Sequence, residues 1–123
     1  MLFRSEVHCA GPYNALTTLS LGGHGCMGHE GNLAPTMITE LIRAFESGDP
    51  GRLHQAYALL LAVYRIHHKY GGPVRAMKPL LNALGLPGGT VRLPRMAIND
   101  AELTEVLEAT LKLNIPELPR ARV

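Results

Sequence analysis

The first 48 residues alternate between strand and helix patterns, and this alternation constrains the fold more than any other feature of the sequence. Strand, helix, strand and helix are predicted at residues 6–10, 13–21, 25–28 and 35–47. Strands that alternate with helices pair in parallel through right-handed crossovers, which predicts an α/β architecture with 6–10 as a buried strand. Because two strands alone do not make a parallel sheet that is buried on both faces, we expect further strands beside them.

Residues 49–123 predict a helical tail. Its first helix, at 52–70, is apolar on most of its circumference, so we expect it to be enclosed by other elements. A second helix is predicted at 74–84, and the segment 86–98 is predicted to be a loop because it contains two prolines and two glycines.

The last predicted helix has clear end signals. Asn99 is its expected N-cap, Asp100 and Glu102 lie in its first turn and Lys112 in its last, where each charge is favourable against the helix dipole. The residues predicted to face inward from the second and third tail helices are Val74, Met77, Leu81 and Leu84, and Leu103, Val106, Leu107 and Leu111. Such stripes indicate core burial or subunit contacts.

Composition limits the classes of function. The chain has 123 residues, enough for one domain, and its twelve lysines and arginines form no basic stripe that would indicate nucleic acid. The longest apolar run, 56–64, is far below the roughly 20 residues of a membrane helix. Cys9 and Cys26 follow no secretory leader, which predicts free thiols in the cytoplasm. The basic segment 119–122 is expected to be a frayed terminus.

Three stretches, in this order, resemble the dihydrodipicolinate synthase/N-acetylneuraminate lyase family. Residues 15–25 are similar to the seventh helix of that family and its turn into the eighth strand. Residues 31–35 are similar to the loop before the eighth helix. Residues 73–78, followed by 84–86 and 91–94, resemble the C-terminal helical segment of the family.

The resemblance implies a (β/α)8 TIM barrel of about 250 residues followed by a three-helix tail. On this reading residues 1–48 are the last two βα units of the barrel, and residues 49–123 are the C-terminal helical tail. The family is a class I pyruvate-type aldolase or lyase that works without a metal or cofactor. Its lysine amine attacks the keto carbon of a 2-oxo acid, and the resulting Schiff base acts as an electron sink.

The family carries that lysine on strand six and a partner tyrosine on strand five, and both regions correspond to sequence before Met1. Lys69, Lys78 and Lys112 all fall in predicted helices and are expected to be solvated. We therefore assign no catalytic residue within 1–123 and expect the isolated chain to be inactive. The beginning of the sequence, close to a barrel strand, is expected to reflect a truncated product or a misplaced start.

Six residues at the ends of the two predicted strands are candidates for substrate binding: Ala10, Gly11, Met27, Gly28, His29 and Glu30. Residues 9–12 fall where the family usually has a serine, a glycine and acidic residues, and because the acids are missing the chain is expected to be divergent there. For Ala10 and Gly11 a simple strand-to-helix turn is the alternative. Met27 matches an aliphatic position whose backbone faces the 2-oxo acid, with core packing as the alternative. His29 and Glu30 are interpreted as a substrate-contacting or acid–base pair.

Histidine, cysteine and glutamate residues on and after the two strands are candidate metal ligands. The residue types of His24, Cys26, His29 and Glu30, with His8 and Cys9 on the other strand, suit zinc, but their spacing lacks a compact ligand pattern. We therefore expect no metal site. The remaining histidines, at positions 54, 67 and 68, are predicted to lie on a helix surface.

Two functions from different classes remain open. The chain is either the C-terminal part of a Schiff-base lyase acting on pyruvate or another 2-oxo acid, expected to be a homo-oligomer, or a non-catalytic interaction or assembly module derived from the barrel. A module would have to cover the open edges of its strands, because unpaired edges invite association. Neither nucleic acid nor membrane is an expected partner.

Overall fold

The computed structural model describes residues 5–119. Its two strands are β1 (His8–Ala10) and β2 (Gly25–Met27), and its five α-helices are α1 (Ala15–Ser20), α2 (Pro35–Ser47), α3 (Pro50–His68), α4 (Pro73–Ala83) and α5 (Asp100–Lys112). Short 3-10 helices at Pro12–Asn14 and His29–Asn32 follow the strands. The predicted basic terminus at 120–122 and the first four residues lie outside the described range.

β1 and β2 pair in parallel, as the alternating pattern predicts. Cys9 is opposite Cys26, and Ala10 is opposite Met27. The prediction of a buried strand at 6–10 is wrong for these residues, because His8 and Ala10 are exposed and Cys9 is half-buried. A parallel strand is buried by neighbouring strands and by helices on both faces. Within residues 5–119, β1 has β2 as its one hydrogen-bonded neighbour.

The core lies between α2, α3 and α4. Pro35 begins α2 in the first helical turn, and Gly48, with φ of 68°, ends the helix in the left-handed region that glycine tolerates. Asp49 then caps α3 by accepting hydrogen bonds from the backbone N–H groups of the next turn. The largest fully buried apolar side chains include Leu41, Leu60 and Leu80, one from each of the three helices.

The tail helices begin and end close to their predicted bounds. Asn99 forms a capping box with Glu102, in which each side chain bonds the backbone N–H of the other. The predicted inward faces are correct only in part: Val106 is buried, but Val74 is exposed. Thr110, which the pattern did not select, is buried because its hydroxyl donates to the Val106 carbonyl.

The segment 86–98 contains no helix or strand, as predicted. It is held against α4 by side chains of that helix. Arg75 Nε donates to the Met96 carbonyl, and Lys78 Nζ donates to the Thr90 carbonyl, both at 2.8 Å. No helix between residues 5 and 119 is long and apolar enough to cross a membrane.

Candidate functional site

Four of the predicted site residues meet where the two strands end. Because the strands are parallel, Ala10 and Met27 lie side by side, and the Gly11 N–H donates to the Met27 carbonyl at 2.7 Å. Gly11 has φ of 78°, a conformation that favours glycine and turns the chain away from β1. The Met27 side chain is 68% exposed. The carboxyl ends of the strands thus present backbone groups and the exposed Met27 side chain on one edge.

After β2 the chain turns inward. Gly28 is extended, and His29–Asn32 forms a 3-10 helix that buries the Glu30 side chain completely. Gly28 is needed for this arrangement, since a Cβ at this position would lie closer than 3.0 Å to Glu30 Oε2. Leu33 and Ala34 donate backbone N–H groups to the Glu30 carbonyl, which fixes the turn. The sequence therefore places a carboxyl group inside the protein beside the strand ends.

Two histidines of α3 pack on this turn. The ring centroids of His67 and His68 lie 5.6 and 5.8 Å from the His29 ring centroid. His68 also stacks on Tyr64 at 3.8 Å and bonds the Tyr64 carbonyl through Nδ1. The prediction that these are surface histidines is wrong for His67, which is fully buried, and for His68, which is half-buried; His54 is exposed as predicted.

The buried polar groups of this cluster have little hydrogen bonding. His29 Nε2 lies 3.1 Å from Glu30 Oε1, but the approach is off the hydrogen-bond direction, so neither atom has a hydrogen-bond partner. Both ring nitrogens of His67 and the other carboxyl oxygen of Glu30 also lack a hydrogen-bond partner. Buried polar atoms without partners are costly, and they are concentrated where a structure serves a purpose other than stability.

Burial sets the charge states of the cluster. It raises the pKa of the Glu30 carboxyl, because the charged form loses its hydration. It lowers the pKa of His29 to about 4, with a smaller effect from His68. It also lowers the pKa of His67 to about 3, helped by repulsion from His29 and His68. Both imidazoles are therefore neutral near pH 7, and the Glu30 carboxyl holds its proton more firmly than a solvated carboxyl does.

A groove of about 390 Å³ opens beside His29. The 29–32 turn, helix α4 and the segment 86–88 line the groove, with apolar side chains on most of its wall. Its polar lining groups include His29, Asn32 and Lys78. Of the six predicted site residues, His29 lines this groove, whereas Glu30 lies behind it. The cluster and the groove therefore share one residue.

None of the three lysines lies at a strand end. Lys69 follows α3 and pairs with Glu105 at 2.8 Å, and this contact raises the Lys69 pKa. Lys78 lies within α4, where it is half-buried rather than fully solvated, and Lys112 is the last residue of α5. An amine that attacks a carbonyl needs a lowered pKa, and the environment of Lys69 has the opposite effect.

The candidate metal ligands do not converge. Within residues 5–119, no group of three or more His, Cys, Asp and Glu side chains is arranged to hold a metal ion. Cys9 and Cys26 are cross-strand neighbours and free thiols, and burial raises the pKa of Cys26. The parallel strand pair and the helices that follow its strands fit part of a (β/α) barrel, a fold whose sites lie at the carboxyl ends of the strands.

The chain belongs to the dihydrodipicolinate synthetase family, whose sequence profile matches residues 9–113. A 4-hydroxy-tetrahydrodipicolinate synthase of Anaeromyxobacter dehalogenans is 31% identical over 105 residues, which are 84% of this chain and 35% of that protein. The corresponding enzyme of Dechloromonas aromatica is 32% identical over 95 residues, 77% of this chain and 32% of that protein. The chain spans about a third of the length of these relatives.

Solved structures share the fold at lower identity. A dihydrodipicolinate synthase from Bacillus anthracis superposes with a TM-score of 0.78 at 21% identity, covering 98% of this chain and 39% of that one. The Proteus mirabilis N-acetylneuraminate lyase gives a TM-score of 0.76 at 23% identity, covering 86% and 36%. The strands, the helices and their arrangement are thus those of part of a TIM barrel.

Proposed function

We propose that this chain is the C-terminal part of a Schiff-base lyase or aldolase that acts on pyruvate or another 2-oxo acid. The observation that carries this proposal is the family match over 9–113. It fits a parallel strand pair whose carboxyl ends carry the candidate site. In this reading residues 1–48 supply the last two βα units of a barrel, and residues 49–123 supply its helical tail.

The six candidate residues would form one wall of the substrate pocket. Ala10, Gly11, Met27 and Gly28 would offer backbone groups and small surfaces at the strand ends. His29, which lines the groove and is 22% exposed, would contact the substrate, with Glu30 3.1 Å behind it. The absence of acidic side chains from residues 9–12 favours a substrate that differs from that of the curated relatives.

The 123-residue chain alone is proposed to have no lyase turnover, because no lysine lies at the end of β1 or β2. Treatment with pyruvate and borohydride is expected to leave its mass unchanged. A single stable adduct on Lys69, Lys78 or Lys112 would contradict the proposal.

A chimera tests whether these residues can complete an active lyase barrel. The chain would replace the matching C-terminal third of the Anaeromyxobacter dehalogenans synthase, whose remaining part, by the family resemblance, carries the lysine. We expect the folded chimera to form a borohydride-trapped adduct with pyruvate, as the intact synthase does in parallel. A folded chimera that traps no pyruvate would contradict the assignment of these residues to a lyase barrel.

The alternative is a non-catalytic assembly module, and the exposure of β1 favours it. Val7, Leu21 and Met27 are large apolar side chains that are exposed beside the open strand pair. Such a surface favours self-association or binding to another chain. An antibody against the tail helices, used on a denaturing gel of the source cells, distinguishes the two. A band at more than twice 13.3 kDa supports the lyase, and a band at 13.3 kDa supports the module.

Either function is proposed to operate in the cytoplasm as a homo-oligomer, without nucleic acid. The low cysteine content supports this compartment, because Cys9 and Cys26 are the two cysteines of the sequence and form no disulfide framework typical of secreted domains. Light scattering at two protein concentrations measures the oligomeric state, and a monomer at both would contradict the oligomer.

A further inference from the structure

Glu30, His29 and His67 come together from two elements, the 29–32 turn and the last turn of α3. Glu30 and His67 are fully buried, whereas 22% of the His29 side chain is exposed. His29 Nε2 is buried and faces Glu30, while the ring also lines the groove. The cluster thus has a buried inner side and one residue that lines the groove.

We propose that these three residues form one acid–base unit. Glu30 holds the transferable proton, and His29 passes that proton to or from a ligand in the groove. His67 is a positioning residue whose ring holds the His29 ring in place. The identity of the ligand rests on the proposed function, but the unit itself is a property of this chain.

The proton can move without leaving a charge on the imidazole. His29 Nε2 and Glu30 Oε1 are 3.1 Å apart without a hydrogen bond, so the carboxyl must turn before a neutral Glu30 donates its O–H to Nε2. The His29 N–H is then on Nδ1, the nitrogen not buried against Glu30. When Nδ1 gives its proton to a ligand oxygen, Nε2 takes the proton of Glu30, and the carboxyl becomes a carboxylate. The reverse sequence removes a proton from the ligand, so the unit serves as general acid and general base.

The surrounding groups fit this use. His68 faces the unit from α3, with Tyr64 stacked on His68, and Cys26 faces the unit from β2. Lys78 of α4 lines the same groove and keeps N–H groups beyond the one that bonds the Thr90 carbonyl. A cation beside a proton-transferring imidazole suits a small carboxylic acid with an adjacent carbonyl or hydroxyl oxygen.

His67 acts through its ring rather than through a hydrogen bond. Its centroid lies 5.6 Å from that of His29 with 50° between the planes, and its nitrogens bond no other group. Phenylalanine can reproduce this contact, whereas alanine cannot. The two substitutions therefore separate positioning by the ring from any role of its nitrogens.

The test is an NMR titration of the 123-residue chain with labelled histidine and glutamate side chains, without substrate. In the unaltered protein the chemical shift of the Glu30 carboxyl carbon is expected to change at a pH above the ordinary pKa of 4.5. The chemical shifts of the His29 ring are expected to show two inflections, one near pH 4 from the ring itself and one shared with Glu30. Independent titration of His29 and Glu30 would overturn the proposal before any variant is made.

Variants then assign the roles. Glu30→Gln is expected to abolish the shared inflection at His29. His67→Ala is expected to weaken it, His67→Phe to retain it, and His54→Phe, an exposed matched control, to leave it unchanged. A shared inflection that survives in folded His67→Ala would refute positioning by His67. Because no turnover is measured, these outcomes are independent of whether the chimera traps pyruvate.

Discussion

Replacing His67 with phenylalanine should make the protein less sensitive to acid. The His67 side chain is fully buried, and its folded-state pKa of about 3 lies well below the ordinary 6.5. At a pH above the ordinary pKa of 6.5, His67 is neutral in both the folded and the unfolded protein and contributes nothing to the pH dependence of stability. As the pH falls below it, the unfolded chain takes up a proton that the folded protein refuses, so stability is lost until the folded pKa is reached.

The magnitude follows from the two pKa values. At about pH 5 the unfolded histidine is largely protonated and the folded one is not, which lowers the free energy of unfolding by about 2 kcal/mol relative to about pH 8. His67→Phe removes this loss and keeps the ring packing. The variant should therefore lose about 2 kcal/mol less than the parent between these two pH values.

Urea unfolding at the two pH values measures the difference, at one protein concentration because self-association would also shift the transition. The parent also carries two opposing contributions to the free energy of unfolding. His29 lowers it as the pH falls, because its folded pKa is lowered, and Glu30 lowers it as the pH rises through the raised pKa of its carboxyl. These remain in the variant and cancel in the comparison. His54→Phe is the exposed control. Equal losses in the parent and His67→Phe would refute the buried, neutral assignment of His67.

Three further substitutions test the supports of the site. Gly28→Ala should lower the free energy of unfolding in urea by about 1–3 kcal/mol, because the new methyl group would overlap the Glu30 carboxyl. Gly51→Ala is the matched control. It should be tolerated, because the atom nearest to the new methyl group is 3.4 Å away. Asn99→Ala should cost about 1 kcal/mol through loss of the capping box, and no change in the urea midpoint would contradict that geometry. Asn82→Ala removes three hydrogen bonds to residues 88–89 and should speed hydrogen exchange of the groove wall at 86–90, whereas unchanged exchange would show that the wall is held otherwise.

The order of elements could be predicted because local chemistry decides it. Gly48 ends α2 and Asn99 begins α5 through backbone and side-chain geometry that is specified within a few residues. The parallel pairing also followed, since strands separated by a helix have few other solutions. The burial of 6–10 did not follow, because burial depends on neighbouring strands that the described residues do not provide.

The sequence indicated the part of the candidate site that lies in the 29–32 turn, but it did not indicate the part that lies on α3. His29 and Glu30 follow a strand, where parallel sheets place their functional groups. His67 carried no such signal, because α3 is apolar on most sides and its sequence does not show which side meets the 29–32 turn. The one available hint was a histidine within the helix pattern, which more often lies at a surface. Tertiary packing alone brings its ring to His29.

The cluster is unfavourable for stability at both ends of the pH range, and this favours a functional reading. A buried carboxyl resists ionisation as the pH rises, and a buried imidazole resists protonation as it falls. Apolar side chains of similar size at Glu30 and His67 would remove both costs and the unpartnered atoms with them. Packing therefore does not explain these residue types. Proton transfer at His29 does, because it needs a carboxyl with a raised pKa beside an imidazole that remains neutral.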